Sequence, residues 1–292
     1  MNMTMEKFIK FPLLKNTASA GAVTDGDGSA TLKLINSSET FTQFVFVNDI
    51  VWDTTTNSAS GGELYIVTAI DSDTQLSVVA IGPTAAQGTG LPAAATYRIY
   101  SPQYTKIASG TANGTTANQL VDTTVNFAAL GVKVGDTVDD VTGGSSATVT
   151  GFATNTNPND SLTLSADIFV GGDVYKIYRE GPNDYDKLVR ASNVSLIENL
   201  ASNNLNNDVD IQYAGTSGSA IDLNIKYAYS DTSTNNEDMR NAIQDAVVAA
   251  LQTPWPNVVY DWPGLQNTCS TDPCTTNTTW LGGKEYFFID IR

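Results

Sequence analysis

The chain repeats itself, and the repeat restricts its fold more than any other feature. The stretch VFVNDIVWDTTTN at 45–57 returns as VKVGDTVDDVTGG at 132–144, with Val47, Asp49, Val51 and Asp53 matched by Val134, Asp136, Val138 and Asp140. Four further segments keep the same order in both copies. LINSSETF at 34–41 matches LVDTTVNF at 120–127, and YIVTAI at 65–70 matches ATVTGF at 147–152. QLSV at 75–78 matches SLTL at 161–164, and ATYRIY at 95–100 matches DVYKIY at 173–178. An ordered series of this kind marks a duplicated module.

Each segment reads as a short strand with period-two alternation, bounded by turn residues. In the second copy Val132, Val134, Val138, Val149, Leu162, Leu164, Tyr175 and Ile177 are assigned to the core. The connections TGGSS, NTNPNDS and FVGGD supply residues that accept positive φ or bond their own backbone. The fold expected is mainly β, with two tandem small β-barrel or sandwich modules at 28–104 and 105–181.

From 182 to 292 the pattern changes to an α+β domain. DVDIQY at 208–213 and AIDLNIKYAY at 220–229 flank a turn-rich AGTSGS and read as a hairpin. Ile221, Leu223, Ile225, Tyr227 and Tyr229 share one of its faces, with Asp222, Asn224 and Lys226 on the other. NEDMRNAIQDAVVAALQ at 236–252 is an amphipathic helix whose stripe includes Met239, Ile243, Ala246, Val247 and Ala250. Thr234 and Glu237 fit a capping box, and Pro254 stops the helix. The segment 1–27 is an N-terminal strand or arm, and EKFIKFPLL within it needs partners, as does the terminal KEYFFIDIR. Both strands are expected to join the hairpin sheet, making that domain discontinuous, with the modules inserted into it.

Composition narrows the function. A net charge of -16 with only 15 basic residues, none in a run, argues against nucleic acid and against anionic membranes as partners. No histidine is present, which removes the usual general base and the commonest metal ligand. No catalytic constellation stands out, so the expectation is a non-enzyme without cofactor or metal. Adjacent acids such as Asp139 and Asp140 point to opposite faces of a strand and make no glycosidase pair by spacing alone. TDGDGS at 24–29 lacks the later ligands of a calcium loop, with Ala30 and Asn36 where Gly and Glu belong. Asp49 and Asp136 read as turn residues accepting a nearby backbone N–H, with metal binding as the competing reading.

Two candidate sites lie near the C-terminus. Trp255, Tyr260 and Trp262 beside prolines suit either a glycan-stacking surface or a loop packed on a core. Cys269 and Cys274 read either as a disulfide closing a short loop or as two free thiols.

The second copy, LVDTTVNFAALGVKVGDTVDDVTGGSSATVTGF followed by LTLSADIFVGGDVYKIY, resembles a module common in virion structural proteins of tailed phages, especially marine and cyanobacterial ones. EKFIKFPL and NNEDMRNAIQDAVVAALQTPWPNVVYD are similar to short proteins of the same phages. The resemblance implies a virion protein made in the host cytoplasm. Its partners would be the major capsid protein, other virion proteins and further copies of itself. The resemblance leaves the virion part open; the leading reading is a capsid decoration or cement subunit that stabilises the particle, and the alternative is a tail or fibre component binding host surface glycan. The first copy departs from the pattern with the long connection IGPTAAQGTGLPAAAT at 81–96, which points to Ile81, Pro83, Leu91 and Pro92 as a partner contact.

Overall fold

The computed structural model describes residues 6–20, 32–55, 63–81, 91, 94–181, 184–199, 208–214, 221–229, 236–254, 257–262 and 286–291. Strands β1 (Phe8–Leu14) and β2 (Asn16–Ala20) follow one another closely, then come β3 (Lys33–Ile35) and a 3-10 turn at Phe41–Gln43. Next are β4 (Ile50–Asp53), β5 (Glu63–Ser72), β6 (Gln75–Ile81) and β7 (Tyr97–Tyr100). The second copy supplies β8 (Tyr104–Thr111), β9 (Gly114–Thr116), β10 (Gln119–Val121), β11 (Thr137–Asp140), β12 (Ser145–Ala153), β13 (Ser161–Leu164) and β14 (Val174–Glu180). The remainder is β15 (Asp184–Arg190), β16 (Val194–Asn199), β17 (Asp208–Tyr213), β18 (Ile221–Tyr229), α1 (Asn236–Gln252), β19 (Val259–Asp261) and β20 (Tyr286–Ile291).

Module 1 is an antiparallel sheet in the order β2-β7-β4-β5-β6-β3, and module 2 repeats it as β8-β14-β11-β12-β13-β10, with β9 added at the edge. Each pair of matched sequence segments occupies the same place in its sheet. Neither sheet closes into a barrel, and each module is one continuous open sheet rather than the small barrel or sandwich expected. Module 1 also starts earlier than the sequence suggested, because Asn16–Ala20 pairs with β7 and belongs to this sheet.

The duplication extends to irregularities. The register of β5 on β6 slips between Val67 and Ala69, and that of β12 on β13 slips between Val149 and Gly151. The residue bulged out in each case is a threonine. Its hydroxyl donates to a carbonyl of the facing strand, Thr68 to Ser77 at 3.3 Å and Thr150 to Thr163 at 3.1 Å. The cores match as well: Leu34, Phe41, Val51, Val67, Tyr97 and Ile99 in module 1 correspond to Leu120, Phe127, Val138, Val149, Tyr175 and Ile177 in module 2. Val134 is the exception among the expected core residues, being 63% exposed. It sits in the turn before β11, with Gly135 at φ 97°, and strand alternation does not carry through such a turn.

Both modules bury a tyrosine at the matched position, with its phenol satisfied. In module 1 the Asn36 side-chain amide donates to Tyr97 Oη at 2.9 Å; in module 2 Tyr175 Oη donates to Asp122 Oδ2 at 2.9 Å. The Asn-to-Asp difference between the copies therefore reverses the direction of the bond and keeps it. Burial pushes both phenols well above their usual pKa, and the Asp122 carboxylate pushes Tyr175 further.

The third sheet runs β15-β1-β20-β18-β17-β16, with β19 parallel to β1 at Phe8–Lys10. β1 is an interior strand, antiparallel to β15 on one side and parallel to β19 and β20 on the other. The N- and C-terminal strands thus share one sheet with the hairpin. α1 lies on the face carrying Ile9, Phe11, Leu13, Val209, Ile211 and Ile225, and inserts Met239, Ile243, Ala246, Val247 and Ala250. The Lys7 ammonium caps the helix end, donating to the carbonyls of Thr253, Pro254 and Asn257 at 3.2, 2.9 and 2.5 Å. Thr234, expected in the capping box, lies outside the described residues. Val247→Asp places an unpaired carboxylate in this core, at a cost of roughly 4 kcal/mol or more. Loss of the helix signal in circular dichroism is the expected result, and a native-like spectrum and melting point for the variant would refute the assignment.

Candidate functional site: the contacts between modules

The aspartates that opened the sequence argument are buried in both copies. Each forms a local turn. Asp49 Oδ2 accepts the Phe46 N–H at 2.9 Å, and Asp136 Oδ2 accepts the Lys133 N–H at 2.7 Å. The turn needs a left-handed residue just before the acid, supplied by Asn48 at φ 75° and Gly135 at φ 97°. Asp53 and Asp140 are turn acids too, accepting the N–H groups of Thr55 and Gly143 at 2.8 and 2.7 Å.

The second carboxylate oxygen of the buried pair reaches the point where the chain leaves its module. Ser101 Oγ, immediately after β7, donates to Asp49 Oδ1 at 2.6 Å. Its counterpart after the matching Tyr178 is Arg179, which forks onto both oxygens of Asp136 at 2.7 and 2.8 Å. One acid in each module therefore ties the entry to its central strand to the exit of its last strand. The matched segments end at Tyr100 and Tyr178, so this link falls one residue beyond the visible repeat.

The two acids differ in how their charge is met. Asp136 has a guanidinium against it. Asp49 has a hydroxyl and an N–H, with the Lys176 ammonium acting from further away, and burial pushes its carboxyl up to about 7. Lys176 belongs to module 2 and sits over the Phe46 ring at 4.3 Å from the centroid. Burial lowers the Lys176 pKa, while Asp139 and Asp49 oppose that shift. Phe46, Tyr104 and Tyr178 form a ring cluster with pairwise centroid distances of 4.7, 4.9 and 5.1 Å. Lys106 lies 5.2 Å from the Phe44 ring. Module 1 thus rests its 41–49 loop on the first and last strands of module 2.

Module 1 meets the C-terminal sheet through a second contact of the same chemistry. Trp52 is flanked by Arg98 at 5.4 Å and by Lys226 of β18 at 5.5 Å. Lys226 is on the face expected to be polar, yet it is buried, because module 1 covers that face.

The residues singled out in the sequence fare differently. Leu91, expected to meet a partner, is 0% exposed and fills the module 1 core, so it cannot act as a surface contact. Ile81 ends β6, paired with Leu64. Pro83, Pro92, Trp255, Cys269 and Cys274 lie outside the described residues, as does the segment 24–29. Tyr260 and Trp262 pack against the C-terminal core, and Trp262 stacks on Phe11 at 5.0 Å between centroids. Among the described residues no group of three or more acidic, cysteine or histidine side chains is placed to hold a metal, and no helix is long and apolar enough to cross a membrane.

No family model and no curated protein matches this chain. Among solved structures it is similar to Phage phi92 endosialidase, at 12% identity and a TM-score of 0.16, covering 74% of this chain and 40% of that one. A likeness of that size carries no argument about fold or activity.

Two outcomes test the contact. Phe46→Ala removes the centre of the ring cluster and is expected to cost about 3 kcal/mol of unfolding free energy, measured by urea titration. A change below about 0.5 kcal/mol would mean that the modules do not rely on it. The second concerns pH. A carboxyl whose folded pKa lies above its ordinary 3.8 adds stability below that value and loses it as pH rises towards 7. Wild type should therefore lose stability relative to Asp49→Asn between pH 4 and 7, by on the order of a few kcal/mol, with the gap constant above. Parallel profiles for the two proteins would contradict the buried charge.

Proposed function

We propose that this chain is a non-enzymatic virion structural protein of a tailed phage, an accessory subunit on the capsid of the decoration or cement type. The observation that carries the reading is the character of what the duplication keeps. Turn acids, a bonded tyrosine, a bulge threonine and a matched core are retained in both copies, and each has a structural task. Duplication that preserves scaffold in this way supports a load-bearing or spacing role rather than a repeated reaction centre. The resemblance of the second copy and of the terminal segments to phage virion proteins supports the same reading. Strong acidity suits an outer surface held away from packaged DNA.

A glycan-binding tail role gains less support. Trp262 stacked on Phe11 is engaged in packing, which leaves it a poor platform for a sugar ring.

The test is localisation on purified virions by immunogold labelling, with copy number against the major capsid protein by quantitative mass spectrometry. Labelled heads and a copy number in the hundreds are expected. Labelled tail tips with a handful of copies would favour the fibre role, and absence from the particle would overturn both.

A further inference from the structure

The two matched aspartates hold different kinds of junction. Asp136 accepts from its own unit, since the Lys133 N–H and the Arg179 guanidinium both belong to module 2. Asp49 accepts from the two segments that join module 1 to module 2. Phe46, whose N–H reaches Oδ2, carries the ring that packs on Tyr104 and Tyr178. Ser101, whose hydroxyl reaches Oδ1, lies in the link between β7 and β8. Parting the modules therefore opens the surroundings of Asp49 and leaves those of Asp136 in place.

Charge separates them as well. Asp49 is buried, and among the described residues no ammonium or guanidinium is in ion-pair contact with it, whereas Asp136 has Arg179. The titratable groups that face the joint come from three strands of module 2. Lys176 and Tyr178 stand on β14, Tyr104 and Lys106 on β8, and Asp139 on β11. Lys176 is the cation that bears on Asp49, and it is shared. Asp139 lies 3.9 Å from its ammonium, the centre of the Phe46 ring 4.3 Å, and Lys106 repels it. Asp139 also accepts from Tyr178 and Ser146 at 3.1 and 2.7 Å, and Glu180 adds negative charge near Tyr178.

We propose that Asp49 is a proton-operated latch on the joint between modules 1 and 2, closed while its carboxyl is protonated and released as the carboxyl ionises. While the acid is neutral, the 41–49 loop rests on β8 and β14 with no buried charge to accommodate. Once it ionises, the closed joint holds a carboxylate whose nearest ammonium is already engaged, and lifting the loop lets water reach it. The raised carboxyl favours closure below its ordinary 3.8, and that advantage is lost as pH climbs through about 7. Burial pushes the Tyr178 phenol further up, so it stays neutral over this range. Lys176, lowered by burial, acts in the opposite sense and on the alkaline side. Module 2 has no such latch, because Arg179 forks onto Asp136 within the same unit. The device is independent of where the protein resides.

Amide hydrogen exchange of the full-length chain, corrected for the intrinsic effect of pH on exchange, reads this local opening. Wild type is expected to lose about ten-fold or more of its protection across 41–49 and 101–108 between about pH 5 and 7.5, while the matched 128–136 holds its own. Asp49→Asn keeps the size and an accepting oxygen but cannot ionise, so it should make 41–49 and 101–108 insensitive to pH. The Asp49 carboxyl resonance of wild type, followed by carbon NMR, should titrate in step with the loss of protection, and this readout needs no variant. Equal protection of the wild-type joint at both pH values, an equal loss in 128–136, the same loss in Asp49→Asn, or a carboxyl that titrates near its ordinary 3.8 would each overturn the proposal.

Discussion

A buried carboxylate at the entrance to the central strand organises each module. Asp49 and Asp136 take an N–H from three residues upstream, which fixes the turn, and a side chain from the end of the last strand, Ser101 just after β7 and Arg179 near the end of β14, which fixes the exit. Taking an acid out of water is costly, and the two copies meet the cost differently. Module 2 uses a bidentate arginine. Module 1 uses a hydroxyl, accepts a raised pKa, and places Lys176 of its neighbour within electrostatic range. The same acid thus shapes a turn, a chain exit and, in one copy, the contact between modules.

Contacts between the units share a chemistry that suits an acidic chain. Lysine and arginine are scarce, and several are spent on aromatic faces at the joints: Lys106 and Lys176 between the modules, Arg98 and Lys226 around Trp52. A cation over a ring can be desolvated with less loss than one facing hydrocarbon, and the long stems add apolar cover. The result is joints that are neither purely apolar nor held by ion pairs alone.

Much of this was legible in the sequence because two copies constrain each other. Matched segments fixed the strands, their order and nearly all core positions, and an acid just ahead of the next strand in both copies suggested the turn. Val134 was misassigned because alternation was extended through a left-handed turn. Leu91 was misjudged because an unusual connection invites an external role, while a single leucine within it can still serve the core. The joints were not legible at all. Lys226 was placed on the polar face of its strand, and only packing between units reveals that it and Lys176 are buried. Ser101 and Arg179 share no chemistry that an alignment would detect, although they do the same task.

The placement of β1 has a consequence for how the chain is made. Phe8 must wait for Arg190 and Val259 to be synthesised before its strand can pair, whereas each module closes on partners that are nearby in sequence. On a ribosome the two modules can therefore form first, in order, while the N-terminal strand remains unpaired. Contacts so distant in sequence form slowly. The C-terminal sheet then closes after both modules, around a strand that was made before them. An unpaired apolar strand held open for that interval is the segment most exposed to misassembly, and its quick capture by the emerging C-terminal sheet would limit that risk.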